Sequence, residues 1–340
     1  MKTKLKLLIT ATLTASMLVA CGTSNDSSNE TTEQTGTEDT VLMEGIVELS
    51  TGEKKVTHEY GETIVPADPK NIVSIHLMDL TLATEIPVKA MTTYYNFSFN
   101  DIIDERGIER LDIVEHDNSV NMEQVLAQEP DLIITSIGGI DATVYEQLSK
   151  IAPTVALDSG VDVDDFVDTM RRIGAITNNS EQVEEEIAEY QEFIETSSNT
   201  LKEIMGDSSL AMLRVKGKEL RLYPSEGNDM SGFLYSELGL KAEELVIAQS
   251  TADELAISFE VLPQLQSDYV VFLPGYSVTE DVEGEEKAFT DEILNNPLWE
   301  MMPANQAGNI LTVDGELWGN GGILATKAKT QNLIDMMSAE

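Results

Sequence analysis

Residues 181–205 read EQVEEEIAEYQEFIETSSNTLKEIM. Their apolar side chains fall at Val183, Ile187, Tyr190, Ile194, Leu201 and Met205. The steps between them are 4, 3, 4, 7 and 4 residues, which keep all of them on one face of a single helix. Asn179 or Ser180 can cap its start, and acids crowd its first turns, where the helix dipole favours them. At ~1.5 Å per residue the segment makes a rod of roughly 37 Å. A rod of that length in mid-chain suits a link between two lobes.

The sequence on either side fits that reading. Val41–Leu49 and Val56–Val65 alternate well enough for a β-hairpin turning at Ser50–Glu53. After Pro66, short apolar runs alternate with helix-like runs. Strands are expected at Asn71–Ile75, Val88–Met91, Leu111–Val114, Asp131–Thr135 and Thr154–Leu157. Helices are expected at Asp79–Glu85, Asn100–Glu105, Glu123–Ala127 and Ala142–Ile151. That alternation implies βαβ units on a parallel sheet. Beyond Gly206 it resumes, with a hairpin of Leu210–Lys216 and Glu219–Tyr223 and later strands at Asp268–Leu273 and Ile310–Val313. Helices are expected at Ser231–Leu238, near Asp291–Leu294 and at Gly322–Met337. The fold class is α/β, two lobes joined by one long helix, each lobe a sheet flanked by helices. The N-terminal lobe is 41–178, the interlobe helix 179–206 and the C-terminal lobe 207–340.

The N-terminus is of another kind. Lys2, Lys4 and Lys6 precede an apolar run from Leu7 to Val19, too short to span a bilayer comfortably and suited to a secretory signal over residues 1–20. The run ends in Leu18-Val19-Ala20-Cys21, which looks like a bacterial lipobox with Cys21 as the lipidated mature N-terminus. Gly22–Thr40 has no aromatic or aliphatic residue and cannot bury a core, so residues 21–40 read as a lipidated cysteine and flexible acidic tether. The expected place is the extracellular face of the cell membrane, anchored through lipid on Cys21.

Composition narrows the function. The chain of 340 residues has 61 acidic and 21 basic residues, a formal charge of −40. Removal of residues 1–20 would leave 18 basic against 61 acidic residues, a charge of −43. Nucleic-acid binding is excluded, because neutralising phosphates needs clustered Lys and Arg. One cysteine allows neither an intramolecular disulfide nor a Cys-rich zinc site. No HExxH, GxSxG, P-loop or GxGxxG sequence is present, and three scattered histidines form no evident triad, so an enzyme is not expected.

Several segments, taken in order, carry a resemblance. They are Ile64–Val73 (IVPADPKNIV), Asn121–Thr135 (NMEQVLAQEPDLIIT), Arg214–Tyr223 (RVKGKELRLY), Asn296–Trp299 (NPLW) and Trp318–Gly322 (WGNGG), with the lipobox upstream. The chain resembles the bacterial substrate-binding proteins of iron–siderophore and cobalamin ABC importers, from about Val56 to Met337. The resemblance implies the two-lobed periplasmic-binding-protein fold with ligand in the cleft. It also implies small closure about a single helix. The implied function is capture of a ferric siderophore and delivery to a membrane permease, by a monomer that needs no cofactor of its own.

Candidate ligand residues follow from strand ends and from that resemblance. In parallel α/β sheets, ligands bind beyond the C-terminal strand ends. There Thr92-Thr93-Tyr94-Tyr95 offers two hydroxyls and two aromatic faces, so Thr92, Tyr94 and Tyr95 are candidates. The 214–221 hairpin carries Arg214, Lys216, Lys218 and Arg221. Guanidinium groups in a desolvated cleft would favour an anionic chelate. The resemblance places an arginine of this hairpin at the ligand, with Arg214 the best match and Arg221 second. Tyr223 follows the second strand. Trp318 precedes glycines that let backbone approach a ligand, and the resemblance places an aromatic here at the cleft mouth. Trp299 reads as core. The resemblance further assigns one glutamate per lobe to permease arginines, matching Glu123 and Glu260.

Other ligands remain open. His76 and His116 near strand ends, with His58 elsewhere, leave direct Zn or Mn capture as an alternative. Haem or cobalamin is the alternative within the class, with Tyr94, Tyr95 or His76 as an axial ligand to haem. The arginine and aromatic set leans towards hydroxamate or mixed carboxylate chelates over catecholates.

Overall fold

The computed structural model describes residues 39–338, apart from 95–96, 115–118, 161–162, 227–229, 249–253 and 276–279. Cys21 and Tyr95 lie outside the described residues, as does the whole stretch 1–38.

The described chain opens with a four-stranded antiparallel meander, β1 (Thr40–Met43), β2 (Ile46–Glu48), β3 (Lys54–His58) and β4 (Gly61–Val65). The sequence suggested a two-stranded hairpin. Each of its expected long strands folds back once more, the first at Gly45, whose φ of +76° is open to glycine but costly for a residue with a side chain.

The N-terminal lobe is built on five parallel strands, β5 (Ile72–Ile75), β6 (Ala90–Thr92), β7 (Glu109–Leu111), β10 (Leu132–Ser136) and β11 (Thr154–Leu157), with a small side ribbon of β8 (Ile113–Val114) and β9 (Ser119–Val120). Their order is β11-β10-β5-β6-β7. The chain leaves β5 towards β6 on one side and returns to β10 on the other, so the switch point lies between β5 and β10. β5, β10 and β11 are buried along their whole length, as short apolar runs flanked by helices require.

The C-terminal lobe carries β12 (Ser209–Lys216), β13 (Glu219–Leu222), β14 (Lys241–Ala242), β15 (Leu255–Ile257), β16 (Tyr269–Leu273) and β17 (Ile310–Thr312). The order is β15-β13-β12-β16-β17, with β14 beside β12. β12, β16 and β17 are parallel, whereas β13 runs antiparallel to both neighbours.

Between the lobes runs the helix Ser180–Met205. Val183, Ile187, Tyr190, Ile194, Leu201 and Met205, the face read from the sequence, are all buried along it. Burying an apolar side chain of this size contributes roughly 1.5–3 kcal/mol, so this face outweighs any propensity term. Asn179 sits at the N-cap without capping, because its side-chain amide donates instead to the carbonyl of Thr177 at 2.7 Å. A helix at Val163–Thr177 packs against the rod; its buried Phe166, Val167, Met170, Ile173 and Ile176 repeat at helical spacing, yet no helix was expected there.

The rod is not the sole link. The C-terminal helix Ile323–Ser338 packs both on the rod and on the short helix Met78–Ala83 of the first lobe. One hydrophobic cluster accordingly runs from Ile46 through the rod to Met337. Asp79 stitches this seam. Its carboxylate accepts from the backbone N–H of Leu324 at 3.0 Å and of Ala325 at 2.9 Å, the open first turn of the C-terminal helix. Gly322 lets this happen: a Cβ there would lie 2.2 Å from Asp79 Oδ1, and its φ is +107°. Burial raises the Asp79 pKa to about 6, against the lowering effect of those N–H groups and of the nearby Lys329 charge.

Candidate ligand-binding cleft

The C-terminal ends of β5, β6 and β11 open on a cavity of about 300 Å³. One wall is His76, Met78, Tyr94, Phe97 and Phe166 of the first lobe, and the other is the loop Gly319–Gly322 that leads into the C-terminal helix. Asn320 reaches across, its amide donating to Ser98 Oγ at 3.2 Å. The place is the switch-point crevice where open α/β sheets take ligands.

His76 directs this wall. It follows β5 with φ at +57°, a left-handed conformation costing of order 1 kcal/mol for a residue with a Cβ. Two bonds hold it there. Its backbone N–H donates to Thr92 Oγ1 at 2.9 Å, and its Nδ1 lies 3.2 Å from the Tyr94 hydroxyl. Tyr94 is 41% exposed. Burial raises its pKa, so its hydroxyl stays neutral at physiological pH.

The second lobe contributes a charged network on its hairpin. Arg214 on β12 and Arg221 on β13 are directly opposed in register. Two like charges in that position repel unless a counter-charge intervenes. Glu254, just before β15, supplies it. Glu254 Oε1 accepts from Lys216 Nζ at 2.5 Å and from Arg221 Nη1 at 3.1 Å. The Tyr223 hydroxyl donates to Glu254 Oε2 and itself accepts from Arg214 Nη1 at 3.1 Å. Arg214 Nη1 also lies 3.1 Å from the Met230 sulfur. Arg221 Nη2 is further bound to Glu219 at 2.5 Å, and Lys218 pairs with Glu285 at 3.1 Å. Desolvation works to raise the Glu254 pKa, but hydrogen bonds from Lys216 and Tyr223 and the charges of Lys216 and Arg221 outweigh it and hold the carboxyl below its usual range. Burial and the bond to Glu254 raise the Tyr223 phenol.

Two lobes, a connecting rod and a crevice lined from both sides describe a receptor for a small solute. The periplasmic binding protein family matches residues 105–317. The chain belongs to that family. Among its relatives, the iron(3+)-hydroxamate-binding protein FhuD of Bacillus subtilis is 22% identical over 313 residues, covering 89% of this chain and 88% of that protein. The Fe(3+)-citrate-binding protein YfmC of the same organism is 25% identical over 290 residues, covering 83% and 85%. Staphylococcus aureus SirA, solved in complex with staphyloferrin B, matches with a TM-score of 0.68 at 20% identity, over 84% of this chain and 98% of that one. At that identity the likeness establishes the fold.

Within this binding protein, the residues singled out from sequence are sorted by burial. Tyr94 and the loop after Trp318 line the cleft. Thr92 does not: it is fully buried, and its hydroxyl supports the His76 backbone from beneath. Trp318 is likewise core, not cleft mouth. It is 0% exposed, packs near Phe233 at 6.0 Å between ring centroids, and donates its indole N–H to Asn332 at 2.9 Å. Tyr223 is 1% exposed, so only its hydroxyl takes part, by joining Arg214 to Glu254. The Arg221 guanidinium is engaged by Glu219 and Glu254 within its own lobe. Trp299 packs on Phe272 in the second lobe's core, as its NPLW setting suggested.

Glu123 and Glu260 are both exposed, each in the first turn of a short helical segment, one on each lobe. The sequence marks His76 only as a candidate metal or haem ligand and carries no local signal for Glu254. Among the described residues no three His, Cys, Asp or Glu side chains are grouped as a metal ion would require.

Proposed function

We propose that the chain is the solute receptor of an ABC importer, taking a ferric siderophore into the interlobe cleft and handing it to a permease. The observation that carries this is the cavity itself. Its walls come from both lobes and combine aromatic faces with the His76–Tyr94 pair. Iron stays coordinated by its chelator, so the protein needs only to surround the complex. Relatives named for hydroxamate and citrate complexes of iron support the ligand class. Anchoring through lipid on Cys21 would hold the receptor at the outer face of the membrane, next to its permease.

Titration of the purified chain followed by tryptophan fluorescence tests this reading, because ferric chelates absorb where indole emits. A saturable response to at least one of ferric hydroxamates, catecholates or citrate is expected. No response to any of them defeats the reading. The His76–Tyr94 pair inside the cavity favours haem as a second reading, since either side chain suits an axial position. A Soret band on haem titration, without a response to siderophores, would establish it instead.

Docking on the permease would use Glu123 and Glu260, one exposed carboxylate per lobe, against arginines of the two permease halves. Reversing both to arginine is expected to leave chelate affinity intact and abolish uptake by whole cells. Uptake at the wild-type rate would remove this assignment.

A further inference from the structure

The second wall of the cleft is almost entirely backbone. Residues 319–322 read Gly-Asn-Gly-Gly, so three of its four positions carry no side chain. Glycine has the widest conformational freedom of any residue and loses the most on being ordered. A wall made this way keeps one course only where its surroundings pin it. Upstream of the loop, Trp318 is buried and its indole is bonded to Asn332. Downstream, the chain enters the helix Ile323–Ser338, whose first turn meets Asp79. Asp79 is only 7% exposed, yet it borders the cavity, three residues after His76 on the opposite wall.

The two walls meet closely at this side chain. A Cβ on Gly322 would lie 2.2 Å from Asp79 Oδ1, so the carboxylate sits directly against the loop's last residue. Its two oxygens take one N–H each, Oδ1 from Leu324 at 3.0 Å and Oδ2 from Ala325 at 2.9 Å, which fixes orientation as well as distance. The mount is firm, because every residue of the helix Met78–Ala83 that carries Asp79 is buried. One side chain thus ties the wall of His76 and Tyr94 to the wall of glycines. On the reading that this cleft takes a ferric chelate, we propose that Asp79 is a positioning residue for it: through the loop Gly319–Gly322 it sets the spacing of the two walls before the chelate arrives, and so sets affinity. A loop ordered in advance spares the chelate the cost of ordering it.

The test is the Kd for a ferric trihydroxamate, ferric citrate and a ferric tris-catecholate, measured by tryptophan fluorescence on protein that circular dichroism shows to be folded. At about pH 7.5 the Asp79 carboxyl, with its pKa of about 6, is ionised. Asp79→Ala is expected to weaken binding of whichever chelate wild type takes by roughly 10-fold or more. Asp79→Asn keeps one acceptor oxygen and should weaken it less. Gly322→Ala disturbs the same contact from the other side and also serves if Asp79→Ala does not fold. Combined, Asp79→Ala and Gly322→Ala should cost less than the product of their separate effects, because both break one contact. Leu333→Ala separates positioning from stability. Leu333 is buried in the same helix, about three turns beyond the loop, so its loss should lower Tm and leave Kd within about 2-fold of wild type. Wild-type affinity in folded Asp79→Ala and Gly322→Ala, or equal weakening by Leu333→Ala, overturns the inference while leaving the siderophore reading in place. If wild type binds none of the three chelates, that reading fails, and this inference with it.

Discussion

Asp79 and Glu254 are carboxylates put to opposite uses in one molecule. Asp79 is buried in the seam between the lobes, where backbone N–H groups meet it and burial drives its pKa up. Glu254 lies at the partly open edge of the second lobe's hairpin, where surrounding cations drive its pKa down. The first holds elements together and the second neutralises cations on its own sheet. A carboxylate's role here follows from whether its partners are backbone dipoles in a dry seam or mobile side chains near water.

That contrast is easiest to break at the seam. Asp79→Ala leaves two N–H groups of the C-terminal helix without their acceptor and removes the charge facing buried Lys329. A loss of about 1–3 kcal/mol of unfolding free energy is expected, read by urea denaturation at pH 5, below the folded pKa of Asp79. A loss below 1 kcal/mol would show that the seam does not depend on this side chain.

Acidity separates the two groups by sign. The folded pKa of Asp79 lies above its unfolded value, so its contribution is full below about pH 4 and is lost as pH rises through about 6. The span of about 2 pH units corresponds to a change on the order of 3 kcal/mol. Glu254, with a depressed pKa, behaves the other way: its contribution is present above the ordinary carboxylate pKa and is lost as pH falls through its own. Comparing the slope of Tm against pH over 4–7 in wild type, Asp79→Asn and Glu254→Gln checks this. The slope should become more positive in Asp79→Asn and less positive in Glu254→Gln. Identical slopes in all three would dissolve the contrast.

The smallest effect belongs to the hairpin's outer pair. Lys218 and Glu285 have side chains 66% and 59% exposed, and such pairs contribute little. Lys218→Ala should change stability by less than about 0.5 kcal/mol, read by urea denaturation. A loss above 1 kcal/mol would mean that this exposed pair matters more than its solvent screening allows.

What could be read from the sequence follows from how local each signal is. The rod was legible because its six buried side chains repeat at intervals of three and four, and the parallel strands because they are short apolar runs between helical stretches. The helix Val163–Thr177 carries the same spacing over a shorter run, without the rod's length to mark it. The meander was misread because Gly45 reverses a run whose alternation looks like one strand. On the second lobe's hairpin, the cluster of Arg214 and Arg221 is visible as a charge density. Its neutraliser is not, because Glu254 arrives 33 residues after Arg221 through strand pairing that no local pattern announces. Trp318 misled for a related reason. Its glycine-rich neighbours do line the cleft, but its indole turns inward to Asn332, a partner 14 residues further on.

The seam bears on how the protein is made. The helix Met78–Ala83 belongs to the first lobe to leave the ribosome, while its cover, Ile323–Ser338, comes some 245 residues later. During synthesis the early lobe must therefore wait with Asp79 and the apolar residues around it uncovered, and the final helix serves as its closing step. A chain cut before Ile323 would lack more than one helix: it would carry a first lobe that is complete in sequence and unfinished in structure, a natural target for chaperones and for proteolysis.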